Sequence, residues 1–440
     1  MVEKFEAEPG SDHYITKATF GLRDCIQPPF VRCPYCKRHD FGVLSVGPYC
    51  YSRRCRHCLR LTSSGLPWTR SLPKLTKKII YLDQFAVSKM MTAIHPAEVS
   101  KSARVAHFRN LFTLLSELCQ YQAIVCPSSE AHIHESLLAS SPQAHQQVFE
   151  LLSGDCKFRP FSEIASLQLA ALADRWGIGN SEPIDLRITD ALTGPHDGWT
   201  SRLFATVPLA RTPQYVKLMK DDKTANARDF LAVWERWKED RSATFEDTYR
   251  FEASCYGPCL LDSVASHAAE WAMKVEPTVL RLQRVLGLGK REEAVSKSCE
   301  FLATGDLTGA PVVQIQSLLF AALKRKAAVG QKRPPSDGML TDVTLLAHLL
   351  PYCDAMLIDN ECHSLLNEEP LRGRLERFRT RLFCSRTLDE FTAYLRDLKR
   401  GLTRSHKQRV HRIYGKPEPF WGLLQTDTTD FGDGAKWTPE

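Results

Sequence analysis

The sequence predicts an α/β protein: a parallel sheet flanked by helices, with a large, mainly helical insertion and a small cysteine-rich module in front. Three observations lead there. Ile79 to Leu82 and Ala355 to Ile358 are short apolar runs of the kind that form strands buried on both faces, and each ends on an aspartate, Asp83 and Asp359. From about Ser140 to Lys332 apolar side chains recur mostly at three- and four-residue steps, as on helices. Ahead of both strands stand two Cys-x-x-Cys pairs.

At 440 residues the chain has room for two or three domains with an ample core. Hydrophobic content of 43% and charged content of 25% are those of an ordinary soluble protein. No apolar run reaches the roughly eighteen residues of a membrane span, which excludes a membrane partner. The opening MVEKFEAEPGSDHY has no apolar signal core, so a cytoplasmic chain is expected. Its fifteen cysteines would stay reduced there unless a metal holds them. Net charge is +7, which suits a polyanionic partner such as nucleic acid.

Residues 1–24 carry no motif and lead into a module at 25–62. There Cys33-Pro-Tyr-Cys36 and Cys55-Arg-His-Cys58 are separated by eighteen residues, the spacing of a four-cysteine zinc ribbon. A structural zinc on Cys33, Cys36, Cys55 and Cys58 would supply folding energy that so small a core cannot. Cys25 and Cys50 are left over. Arg53, Arg54 and Arg56, with His57 and Arg60, crowd the second knuckle; they either contact phosphates or form a solvated basic face. Residues 63–76 read as a linker in which Trp68 docks on a neighbouring domain.

Residues 77–139 form the first part of the α/β domain. After Asp83 the pattern turns helical with Phe85, Val87, Met90 and Met91; a second helix follows at Val105–Cys119 and a strand at Ala123–Cys126. An acid at the C-terminal tip of a buried strand points into the crevice where open α/β sheets bind ligands. The plainer reading of Asp83 is a cap for the next helix. On the third helix Glu130 lies mid-arc among Ile133, Leu137 and Leu138, with Glu135 at the rim, and both are candidates. His132 and His134 read as packing or supporting residues, because hard cations prefer oxygen.

Residues 140–334 are the insertion, expected to form a distinct body. Trp199, Trp234, Trp237 and Trp271 are read as core residues. Gly287-Leu-Gly289-Lys-Arg lacks a phosphate-loop pattern and no nucleophile elbow occurs, which removes both enzyme classes. The insertion could select substrate, cover the site or receive a regulatory protein partner. Leu323–Pro335 reads as a basic hinge, in which Lys324, Arg325 and Lys326 either line the approach to the acids or are solvated.

The α/β domain resumes at 335–400. Asp342 opens an amphipathic helix on the same stripe as Leu345, Leu346 and Leu349, so it points along the packed face. Asp337 is a further candidate. Asp354 lies at the far end of its strand from Asp359, about 16 Å away, and is assigned to structure. Arg381–Leu398 reads as a last strand and helix, and 401–440 as a basic C-terminal extension that frays beyond Gly422. Two strand-end aspartates and one at a helix start suggest a carboxylate cluster able to hold a divalent cation.

The YLDQ of Tyr81–Gln84, the PSSEAHIHES of Pro127–Ser136, DVTLLAHLLPYCDAMLID at Asp342–Asp359 and RLFCSRTLDEFTAYLRDL at Arg381–Leu398 resemble the PIN-like nuclease family. The resemblance covers roughly a third of the chain. It implies a PIN-like parallel sheet and favours Glu135 over Glu130 as the acid of the third helix. It further implies that Asp83, Glu135, Asp342 and Asp359 hold one or two Mg²⁺ or Mn²⁺ ions for phosphodiester hydrolysis, with single-stranded RNA the expected substrate. Two departures stand out: the long separation of Glu135 from Asp342, and Asn360 rather than a second acid after Asp359. The competing expectation is a non-catalytic scaffold that grips nucleic acid or protein through the zinc ribbon and basic segments.

Overall fold

The computed structural model describes residues 26–46, 51–64, 74–94, 103–138, 142–154, 156–180, 182–199, 212–240, 242, 244–414 and 416–417. The lead at 1–24, Cys25, Cys50, Trp68 and the tail beyond Gly422 lie outside these residues. The chain divides into two units after Leu72.

In the first unit β1 (Gln27–Val31), β2 (Phe41–Val46), β3 (Tyr51–Cys55) and β4 (Leu61–Ser64) form an antiparallel meander in chain order. One cysteine knuckle occupies the turn between β1 and β2, the other the turn between β3 and β4. The knuckles repeat each other bond for bond. Lys37 N donates to Cys33 O and Leu59 N to Cys55 O, while Cys33 N and Cys55 N donate to Arg38 O and Arg60 O. Lys37 and Leu59 both take left-handed φ values, 64° and 57°, a costly conformation for non-glycine residues that the tight knuckle imposes at the same position twice. Among the described residues Cys33, Phe41 and Cys55 form a small core cluster, with Cys36 and Cys58 packed against it.

The second unit is organised by β5 (Lys78–Leu82) and β6 (Ile124–Val125). An antiparallel pair, β7 (Lys157–Phe158) and β8 (Leu192–Thr193), lies within the insertion, and β9 (Ala355–Leu357) and β10 (Arg381–Phe383) complete the main sheet. That sheet is wholly parallel in the order β10-β9-β5-β6. Tyr81 pairs with Met356, which pairs in turn with Leu382. Ile80, Tyr81 and Leu82 are buried on both sides, as a central parallel strand requires. The first and third strands of the sheet, β5 and β9, are neighbours, while later chain leads to opposite edges. This is a topological switch point, where open sheets leave a crevice at their C-terminal ends.

Helices α1 (Gln84–Ile94), α2 (Ala103–Gln120), α3 (Glu130–Leu138) and α4 (Pro142–Ser153) surround the first two strands. The insertion supplies α5 (Phe161–Gly177), α6 (Pro213–Glu239), α7 (Phe245–Val264), α8 (Ala268–Lys274), α9 (Glu276–Val285), α10 (Arg291–Thr304) and α11 (Pro311–Ala328). Then come α12 (Met339–Leu349), α13 (Asn360–Leu366), α14 (Leu371–Leu375), α15 (Leu388–Gly401) and α16 (Arg404–Tyr414). Among the described residues no helix is long and apolar enough to cross a membrane.

Two expectations need correction here. The insertion is not a distinct body: one core runs from Ile79, Tyr81 and Val125 through Leu169, Trp234 and Leu282 and back to Leu346 and Met356. The reason is α11. It buries Val312, Val313, Ile315, Leu318, Leu319, Ala321, Ala322 and Leu323, so it is apolar around its circumference and packs on both α7 and α12. Nor is Leu323–Pro335 a hinge from its start, because α11 continues through Lys324, Arg325 and Lys326 to Ala328.

Candidate functional site

In the first unit the sulfurs of Cys33, Cys36, Cys55 and Cys58 all lie within 4.8 Å of one another. Cys33 Sγ is 3.7 Å from Cys58 Sγ, and Cys36 Sγ is 3.6 Å from Cys55 Sγ. A tetrahedral ion with Zn–S bonds of about 2.3 Å needs S···S edges of about 3.8 Å. The four cysteines could therefore hold a zinc ion with little movement. Burial raises the Cys33 thiol, but the backbone N–H groups of Cys36 and Tyr35 together with the Cys36 and Cys58 thiols bring its pKa down to about 7. Against the pull of the Arg38 N–H, burial and the neighbouring thiols of Cys55, Cys33 and Cys58 push Cys36 up to about 11; without a cation the four sulfurs do not all ionise together. Arg53, Arg54 and Arg56 are tied into this module. Their guanidinium groups donate to Phe41 O (3.0 Å), Leu59 O (2.7 Å) and Ile26 O (3.1 Å), and Arg56 also lies 4.4 Å over the Phe30 ring.

In the second unit the switch point gathers acids that are far apart in the sequence. Asp83 follows β5; its backbone N–H donates to Leu357 O at 2.9 Å and its carboxylate accepts Phe85 N–H at 2.9 Å. Asp359 caps α13, accepting the N–H groups of Glu361 and Cys362. Asp342 lies in the first turn of α12, and ligand atoms of Asp342, Asp359 and Cys362 lie within 4.8 Å of one another. Glu135 approaches from α3. Burial, together with the Glu135 and Asp359 charges, pushes the Asp83 carboxyl up to about 7 against the pull of the Phe85 N–H. Asp342 rises to about 8 through burial first and then the charges of Asp359, Asp83, Glu135 and Glu361. Glu135 is raised by burial, and Lys223 of α6 pulls the other way. Asp342 thus feels the charges of Asp83, Glu135 and Asp359, and Asp83 those of Glu135 and Asp359.

His132 holds this arrangement together. Its Nε2 donates to Leu82 O at 2.8 Å and its Nδ1 accepts Ser129 N–H at 3.0 Å, which fixes the tautomer. It stacks on Tyr81 with ring centroids 5.0 Å apart and is buried, which drops its pKa to about 3 and keeps it neutral. It ties the start of α3 to the end of β5 beside Asp83, a supporting role and not that of a ligand.

The remaining candidates lie elsewhere. Glu130 accepts the backbone N–H of Phe161 at 2.9 Å, so it caps the start of α5 and is not among the charges acting on Asp83 or Asp342. Asp337 is exposed in the turn before α12. Asp354 pairs with Lys78 at 2.7 Å and accepts Ile79 N–H, stapling the starts of β9 and β5. Lys324 is paired with Asp240 at 2.6 Å and Lys326 with Glu368 at 2.7 Å; Arg325 lies 3.9 Å from Glu368. Lys324 and Lys326 are therefore each paired with an acid, and Arg325 shares Glu368 with Lys326.

Sequence reasoning missed Cys362, Glu361 and Lys223. The first two follow Asp359 so closely that the helical turn begun at the cap would bring them in. No sequence signal pointed to Lys223. Comparison of the chain with known protein families, with curated proteins and with solved structures returns no match.

Proposed function

We propose that this protein is a metal-dependent nuclease of PIN-like type, hydrolysing phosphodiester bonds in single-stranded RNA. The observation that carries the reading is the convergence of Asp83, Glu135, Asp342 and Asp359 at one sheet edge, where burial pushes the Asp83, Glu135 and Asp342 carboxyls upward and neighbouring acidic charges add to the rise at Asp83 and Asp342. Such crowding is costly without a counter-charge. The donors fit a divalent cation: they are carboxylate oxygens, the choice of Mg²⁺ and Mn²⁺. Gln84 adds a second sign. Its Nε2 donates to Ser136 Oγ at 3.3 Å, next to Glu135, while its buried Oε1 has no partner among the described residues. A hydrated cation beside it would supply the missing donor.

Asp83, Glu135, Asp342 and Asp359 would hold the metal, which when bound supplies an activated water and neutralises charge on the phosphodiester. The protein's own contribution is position. The β5 terminus and the His132 bond fix Asp83, the α13 cap fixes Asp359, and Lys223 offers a positive charge on the Glu135 side. The ribbon is read as a structural zinc module whose arginines brace its own backbone.

The test is cleavage of single-stranded RNA and DNA by zinc-loaded protein with Mg²⁺ or Mn²⁺ added. Asp83→Asn and Asp342→Asn should each abolish cleavage while the fold persists. Cleavage by either variant at the wild-type rate would reject the nuclease reading. Binding without cleavage by wild type would favour the scaffold.

A further inference from the structure

Beside the acids lies a cavity of about 300 Å³. Its position follows from the chain: Glu361 of its wall sits between Asp359 and Cys362, and Met339 of its floor is one turn ahead of Asp342. Leu323, Met339 and Leu365 lie beneath it but are almost fully buried, and Gln331, Asn360, Glu361 and Ser364 line the rest with polar groups. The rim carries two cations, Lys326 and Arg386. They are not equivalent. Lys326 is neutralised by Glu368, whereas Arg386 has no carboxylate partner among the described residues; its guanidinium makes one long bond, 3.3 Å, to Asn360 O.

Arg386 also has a meaningful address. It stands three residues past β10, and since the sheet is wholly parallel it lies at the same edge as Asp83 and Asp359. An exposed arginine at the rim of a largely polar pocket, beside carboxylates that would hold a cation, is suited to a molecule with a hydrogen-bonding part and an anionic part. A phosphate matches the guanidinium fork. The volume is at the low end for small-molecule sites, enough for one nucleotide.

We propose that this pocket is a nucleotide subsite: it seats the base of the residue adjoining the scissile phosphate among the polar side chains of Gln331, Asn360 and Ser364, and Arg386 holds that residue's phosphate. The assignment rests on the nuclease reading for the word scissile, but the pocket's affinity for a nucleotide does not. It also gives the preference for single strands a physical basis, because a paired base cannot enter without leaving its stack.

The experiment is titration of adenosine and cytidine 5′-monophosphates into full-length, zinc-loaded protein without Mg²⁺ or Mn²⁺, followed by cleavage kinetics with metal added. Two variants are compared with wild type. Arg386→Ala removes the exposed cation, and Ser364→Trp, on the exposed side of α13 in the pocket wall, fills the space. Arg386→Ala should weaken nucleotide binding roughly tenfold, the worth of one charge-assisted bond. In cleavage it should raise KM by a similar factor with kcat little changed. Ser364→Trp should block nucleotide binding while leaving the melting temperature near wild type.

Wild-type protein that binds neither nucleotide, or binding that ignores both substitutions, overturns the subsite. The two readings separate cleanly. Nucleotide binding that depends on Arg386 in a protein that cleaves nothing keeps the pocket and rejects the nuclease. Cleavage with nucleotide binding indifferent to both substitutions does the reverse.

Discussion

Replacing Asp342 with asparagine should stabilise the protein in the absence of Mg²⁺ and Mn²⁺ and weaken its grip on those ions, two effects of opposite direction from one neutralised charge. The folded Asp342 carboxyl titrates at about 8 against an ordinary value of 3.8. Between those values the folded protein keeps a proton that the unfolded chain has released. Stability must therefore fall as pH rises through this window, and the full penalty is present above about pH 8. The gap corresponds to at most about 6 kcal/mol. Partial access to water and relaxation among the coupled acids reduce this, so Asp342→Asn should gain about 1–3 kcal/mol at about pH 8.5 and almost nothing at about pH 4. The assay is urea unfolding of zinc-loaded wild type and variant across that range. Taking the difference cancels the titration of His132, which is not among the charges acting on Asp342. Calorimetric titration with Mn²⁺ supplies the second arm. A stability difference that does not change with pH, or that favours wild type at high pH, would refute the crowded-acid argument.

Three further outcomes follow from the same geometry. His132→Ala strands the Leu82 carbonyl and the Ser129 N–H and leaves a cavity, so it should cost about 3–4 kcal/mol of unfolding free energy; a loss under about 1 kcal/mol would contradict its bridging role. Cys33→Ser with Cys36→Ser should remove the single expected zinc, measured by elemental analysis, and increase amide exchange in the first unit while the second keeps its protection. Glu135→Gln should reduce Mn²⁺ affinity more than tenfold, whereas Glu130→Gln should leave it intact and cost under about 1 kcal/mol, since an amide oxygen can still cap α5. Calorimetry that reversed this order would move the metal site.

Much of the sheet was legible because period and length agree. An apolar run of four residues ending on an acid, followed by helical spacing, has few alternatives, and β5, β9 and β10 with their following helices appear where those signals stand. Asp354 was legible from the reach of an extended strand alone. Glu130 shows where such reasoning stops. Its place at the middle of an apolar arc marks it as inward-facing, and it does face inward. What it meets is the open N-terminus of α5, over thirty residues further on, and no helical wheel contains that partner. The shared core of the insertion was hidden for a related reason. Apolar spacing identifies α11 as a helix, but only its neighbours decide whether it closes one core or joins two.

Charge was the least legible property, and the reason bears on how this protein would hold a polyanion. A sequence shows runs of lysine and arginine but not what neutralises them. Lys324 meets Asp240 from 84 residues away, Lys326 meets Glu368 from 42 residues away, and Arg53, Arg54 and Arg56 spend guanidinium donors on carbonyls of their own module. The three residues of each conspicuous run are thus already engaged, and drawing them away to a phosphate would cost the contacts they leave. Arg386 belongs to no run and carries no such obligation. An isolated cation at the sheet edge that bears the acids can meet a phosphate without breaking an ion pair, so the phosphate contact nearest the site is assigned to it and not to the basic segments.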